Sequence, residues 1–161
     1  MEKNIYSDIK TVTLERFKVA RYVVISPAPE MDVIAYLDKW AEKSGLSDIE
    51  GYKRKQIGWD FPFVTKEQQE KFGLRGYVAA YVIPENFVPK CEGAEIAYIE
   101  KDTYATITIT NPHSNSFENI TNAYHMLLEF AKTSSWENRL AFEEEYDIAG
   151  VHYMDVYVPM N

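Results

Sequence analysis

The sequence predicts an α+β fold, an antiparallel sheet with helices packed on it, and three observations point there. Most apolar runs alternate as strands do. Helical periodicity is sustained over only two long stretches, residues 29–45 and 115–132. The order strand–helix–strand–strand is also read twice, over about residues 10–85 and again over about 94–160. Two such units side by side form one domain spanning residues 1–161, with a groove where the halves meet.

The first unit opens on "TVTLERFKVARYVVIS", Thr11 to Ser26, whose β-branched and aromatic residues predict one long or bent strand stopped by Pro27 and Pro29. In "PEMDVIAYLDKWAEKSG", Val33, Ile34, Leu37, Trp40 and Ala41 recur at helical spacing. Glu30 and Asp32 suit the first turn, Lys43 the last, and Gly45 the stop. "YKRKQIGWDFPF" is read as a strand with Ile57, Trp59 and Phe61 on one face, and "TKEQQEKFG" as a short surface helix behind a capping box from Thr65 to Gln68. "LRGYVAAYVIP" is apolar enough for a central strand.

After the polar connector "ENFVPKCEGAE" the order repeats. Ala94 to Thr110 is strand-like, with a turn near Lys101 and Asp102. "NSFENITNAYHMLLEFAK" is a helix burying Ile120, Ala123, Tyr124, Leu127, Leu128 and Ala131, with Asn115 or Ser116 as its N-cap. "LAFEEEYD" and "HYMDVYVPM" follow as paired strands joined by a turn at Ile148 to Gly150.

Composition narrows the function classes. Seventeen basic residues against 25 acidic ones give a net charge of −8, and no basic run exceeds the "KRK" of Lys53 to Lys55, which disfavours nucleic acid as a partner. The single cysteine, Cys91, excludes an internal disulfide and fits a reducing, cytoplasmic setting. No apolar run approaches the ~20 residues that cross a bilayer, and the N-terminus has no secretory signal. His113, His125 and His152 show no metal-ligand spacing with one another or with Cys91, so neither metal nor cofactor is expected. Phosphate-loop, dinucleotide and nucleophile-elbow motifs are missing, so catalysis is uncertain and a non-enzymatic ligand-binding protein is the better reading.

The informative residue is Glu144. Strand alternation puts it in phase with Leu140, Phe142 and Tyr146, whereas Ala141, Glu143, Glu145 and Asp147 share the other, wet face. A carboxylate removed from water costs several kcal/mol unless something satisfies it. One reading is an internal partner such as Arg16, Arg139 or a tyrosine hydroxyl; the other is a carboxylate floor for a cationic ligand with rings as walls. A slip of one residue in strand phase would make Glu143 or Glu145 the inward acid instead. "HYMDVYVPM" places Met154, Val156 and Val158 under the helices and leaves Tyr153, Asp155 and Tyr157 on the opposite face, beside the strand of Glu144. Trp59 is either core or the lining of a groove mouth.

The motifs "IGWDFPF" at 57–63, "FGLRGYVAAYVIP" at 72–84, the Glu-x-Tyr of "EEEY" at 144–146 and the terminal "YMDVYVPM" resemble the GyrI-like small-molecule-binding domain, the effector-binding domain of AraC- and MerR-type bacterial transcription activators. The resemblance spans about residues 10–160. It implies a pseudo-twofold domain with an aromatic-lined central cleft, in which the acid of the Glu-x-Tyr strand, here Glu144, pairs with cationic aromatic ligands and Trp59 forms a wall. Only about ten residues precede the first strand, so the chain resembles a stand-alone form without the helix-turn-helix that binds DNA. The function so implied is sensing or sequestering hydrophobic, cationic or polyaromatic small molecules. Glu144 would supply charge, and Trp59, Tyr146, Tyr98, Tyr104, Trp136, Tyr153 and Tyr157 the stacking surface. Two alternatives stay open: hydrolysis of reactive small molecules in the same cleft with Glu144 as base, and inhibition of a protein partner in the gyrase-inhibitor manner.

Overall fold

The computed structural model describes residues 4–137 and 139–161. It is α+β, with eight strands, all in antiparallel pairings, and three α-helices. The chain divides into two compact units, residues 17–99 and residues 1–16 with 100–161.

In the unit of residues 17–99 the strands are β2 (Phe17–Ser26), β3 (Gln56–Phe61), β4 (Arg75–Ile83) and β5 (Glu95–Ile99), hydrogen-bonded in the order β3-β4-β2-β5. Helix α1 (Pro29–Ser44) packs Val33, Leu37, Trp40 and Ala41 against Ala20, Ala79 and Tyr81. Its start is organised from outside the helix: the Ser26 hydroxyl donates to Asp32 at 2.5 Å and accepts from the Ala28 amide at 3.2 Å, and Pro29 opens the first turn. Gly45 ends it at φ 90°, a left-handed conformation that costs glycine nothing. The short helix α2 (Lys66–Phe72) carries the expected capping box between Thr65 and Gln68.

The other unit contains β1 (Lys10–Leu14), β6 (Asp102–Thr110), β7 (Phe142–Ile148) and β8 (Val151–Pro159), ordered β7-β8-β6-β1. Helix α3 (Ser116–Ala131) buries Ala123, Leu127 and Ala131 against Ala105, Ile107, Ile109, Met154, Val156 and Val158. Both units thus share one plan: a first strand, a helix, a hairpin returning beside that strand, and a fourth strand on its free edge.

Two expectations need correcting. Thr11 to Ser26 is two strands rather than one, because β1 ends at Leu14 and pairs with β6 while β2 pairs with β4 and β5. β5, which begins at Glu95, pairs with β2 on the edge away from β4. Edge strands are chosen by long-range pairing, which local alternation does not encode. Leu128, placed on the buried side of its helix, is 40% exposed, since only Ala123, Leu127 and Ala131 point squarely at the strands.

The hairpin of β7 and β8 turns through Ala149 and Gly150, both at positive φ (50° and 81°), as a two-residue turn of the twist-matching kind requires. It fixes the register that places Glu144 directly opposite Asp155. Arg139 locks the same unit: its Nε and Nη2 donate to both Asp102 carboxylate oxygens at 2.9 Å, and Nη2 also donates to the Met160 carbonyl at 2.5 Å. These hydrogen bonds hold the Asp102 carboxyl below its ordinary range despite its partial burial. A depressed folded-state pKa stabilises the fold above the unfolded value and loses that contribution as pH falls through the folded one. Asp102→Asn is therefore expected to lower the melting temperature at neutral pH, and the gap to wild type to close as pH drops from about 5 towards 2. A gap independent of pH in thermal melts would contradict this role.

Candidate functional site

Register and packing assign every side chain of the β6–β8–β7 sheet to a face. Ile107, Val156 and Glu143 form one row towards α3, and Ile109, Met154 and Glu145 the next. On the opposite face the rows are Thr106, Tyr157 and Phe142, then Thr108, Asp155 and Glu144, then Thr110, Tyr153 and Tyr146. Glu144 therefore shares its face with Phe142 and Tyr146. Tyr153, Asp155 and Tyr157 join it there, and Met154, Val156 and Val158 go under the helix.

That face has an aromatic floor. Phe142 stacks on Tyr157 with ring centroids 4.7 Å apart, and Tyr104 meets both rings edge-on at 5.4 and 5.9 Å. Tyr104 and Phe142 are each 1% exposed and so lie in a covered part of this face, while Tyr146 and Tyr153, stacked at 5.7 Å, are half-buried. Asp155 accepts from the Thr108 hydroxyl at 2.6 Å and the Tyr146 hydroxyl at 2.9 Å. Burial, and then the bond to Asp155, push Tyr146 up to about 12. Burial together with the charges of Asp155 and Glu144 raises Tyr157 further. Both hydroxyls are thus protonated donors at any physiological pH.

The unit of residues 17–99 holds a cavity of about 800 Å³. Trp59 and Phe61 of β3, Val78 of β4 and Val23 of β2 line it, with Tyr22 and Tyr36 stacked 3.9 Å apart. Its two charges, Arg21 and Glu95, neutralise each other in an ion pair of 2.7 Å. This concavity suits flat apolar groups better than charge. Ile57, Trp59 and Phe61 share a strand face as expected, since Trp59 pairs with Val78 and Phe61 with Gly76. A Cβ at Gly76 would lie 2.6 Å from the Phe61 carbonyl oxygen, so only glycine allows this approach.

Two of the anticipated stacking residues lie elsewhere. Tyr98 of β5 pairs with Lys18, in phase with Ala20 and hence on the α1 side, where its hydroxyl donates to Glu85 at 2.8 Å. Trp136 is 42% exposed in the segment after α3. The other strand face, read as simply wet, is not so. There Glu143 accepts from the Tyr124 hydroxyl at 3.2 Å, and Glu145 meets two histidines, His113 and His152. Sequence reasoning missed that cluster because His113, Glu145 and His152 come from three separate elements.

No protein-family model and no curated protein sequence matches the chain. Solved structures do. The EcmrR C-terminal domain superposes with a TM-score of 0.64 at 15% identity, over 97% of this chain and 98% of that one. Against EcmrR in its DNA complex the TM-score is 0.62, and the chain spans only 57% of that protein's length. SAV2435 bound to tetraphenylphosphonium gives 0.57 at 11% identity, with 96% and 94% covered. A hydrolase from Listeria innocua gives 0.54 at 8% identity, with 92% and 90% covered. Identities this low speak for the fold alone, the α+β fold that these structures share with the present chain.

Proposed function

We propose that this protein binds hydrophobic small molecules that are cationic or polyaromatic. The observation that carries the reading is the carboxylate pair Glu144 and Asp155, opposite each other on a strand face floored and flanked by tyrosine and phenylalanine rings. Like charges placed directly opposite on neighbouring strands repel. Asp155 is served by two hydroxyl donors, and a cation bound beside Glu144 would meet the paired negative charge while its apolar groups stack on the rings. The Trp59 cavity lies within the roughly 300–1,000 Å³ usual for small-molecule sites and offers aromatic surface without net charge. A neighbour of the same fold, SAV2435, is bound to an aromatic cation, which is the chemistry proposed here.

The test is a tryptophan-fluorescence titration with matched cationic and neutral aromatic dyes, each dye recovered afterwards and checked for chemical change. Saturable binding with intact dyes, tighter for the cations, is expected. Folded protein that binds neither class would overturn the reading. Trp59→Ala is expected to weaken dyes held in the cavity of residues 17–99 by roughly tenfold, whatever their charge, because it removes stacking area and no charge. Trp40 and Trp136 remain as reporters.

Hydrolysis is the second reading, favoured by the fold neighbour described as a hydrolase. Glu144 would then act as general base to a water, with a tyrosine hydroxyl orienting the ligand. Tyr146, held near 12, can donate a hydrogen bond but does not exchange protons readily at neutral pH. Dyes altered after incubation would put this reading first.

A further inference from the structure

On the α3 side of the second unit's sheet, outside the proposed ligand surface, three potential ligand atoms converge. His113 lies in the single 3-10 turn Pro112–Asn115, reached through Asn111 at φ 51°. Glu145 is on β7 and His152 on β8, on one sheet face with Met154 and Asp147. The Nε2 atoms of both histidines address the same carboxylate oxygen, Glu145 Oε1, that of His152 at 3.3 Å and that of His113 more closely. Ligand atoms of all three residues lie within 4.8 Å of one another.

The far side of each ring is also held. Asp147 Oδ1 stands 2.7 Å from His152 Nδ1, and an ionised carboxylate only accepts, so that nitrogen carries the proton. Ser116 Oγ stands 2.7 Å from His113 Nδ1. This carboxylate–histidine arrangement presents an unprotonated Nε2 forward once the second proton leaves, and it is the outer-shell arrangement typical of metal-binding histidines. Two hydrogen bonds to one oxygen require a proton on each Nε2; a single divalent ion replaces both and satisfies all three groups at once.

We propose that His113, Glu145 and His152 form a binding site for a borderline divalent transition metal ion, of which zinc is the best match. Two imidazoles and one carboxylate are the donors zinc accepts, and three protein ligands leave a position for water. Ligand atoms in a tetrahedral site with bonds of about 2.0 Å are roughly 3.3 Å apart. His113, whose side chain is 52% exposed, would have to make the adjustment that this spacing requires. The ion would also tie the turn before α3 to the β7–β8 hairpin.

The test is calorimetric titration of the tag-free full chain with ZnCl₂, alongside His113→Ala, His152→Ala, the double variant and Asp147→Asn. All three positions are half-buried or exposed, and circular dichroism verifies that each variant is folded. One equivalent of zinc bound at micromolar or lower Kd is expected. Either single alanine variant should weaken it at least tenfold, the double variant should abolish it, and Asp147→Asn should weaken it by about 10–100-fold through the outer shell. Cobalt(II) should give a visible absorption band with wild type that the double variant lacks. Absence of binding below millimolar zinc would overturn the site. So would one equivalent bound equally well by the double variant, which would place the metal elsewhere.

Discussion

Replacing Glu144 by Gln is expected to lower affinity for aromatic cations by about 10- to 100-fold and to leave neutral aromatic analogues nearly untouched. The substitution keeps shape and hydrogen-bonding length and removes one negative charge. A cation held over rings and beside a carboxylate gains about 1–3 kcal/mol from those contacts when they are partly screened from water, and 1.4 kcal/mol is a factor of ten. Neutral ligands gain only from buried apolar area, which the variant preserves. The same change removes one of the two like charges that face each other across β7 and β8. Fluorescence or calorimetric titration of the two proteins with a cation and its neutral isostere reads the effect as a ratio of ratios. Equal losses for both ligand classes would mean that Glu144 shapes the surface rather than supplies charge.

The largest stability effect is expected at Phe142, one residue row away. Its ring is 1% exposed, stacked on Tyr157 and edge-on to Tyr104. Phe142→Ala removes a fully buried ring from a packed aromatic cluster, and such truncations cost about 3–5 kcal/mol because the site collapses only in part. For a chain of this size the melting temperature should fall on the order of 6–20 °C. Phe142→Leu, which refills most of the volume, should recover the larger part of that loss. The ligand surface stands on this floor, so the alanine variant should also bind aromatic cations more weakly at temperatures where it is still folded. A midpoint shift below about 2 °C would show that the aromatic floor is not part of the unit's core.

How much of this was legible beforehand depended on whether the signal was local. Alternation along β7 and β8 assigned Glu144, Tyr146, Tyr153, Asp155 and Tyr157 to one face, because a strand flips every second residue whatever its neighbours are. The helices at 29–44 and 116–131 were legible for the same reason, from apolar periodicity and stop signals. The exchange of β1 and β5 was not, since an edge strand bonds to whichever strand the folded chain presents. The face of Tyr98 was not legible on the same ground, since it follows from pairing with Lys18. Tyr104 was legible as aromatic but not as floor, because burial to 1% is a property of the packed cluster. The histidine cluster was hidden by distance in sequence. Spacing rules find ligands two to five residues apart, whereas His113 of the 3-10 turn and His152 of β8 are joined through Glu145 of β7.

A crystal structure of the protein grown with a hydrophobic aromatic cation at saturating concentration tests most directly where positive charge is held. The cationic centre is expected beside the Glu144 carboxylate, in contact with the rings of Tyr146, Tyr153 or Tyr157. A cation bound with its charge away from Glu144, or crystals of saturated protein with no cation on that face, would contradict it.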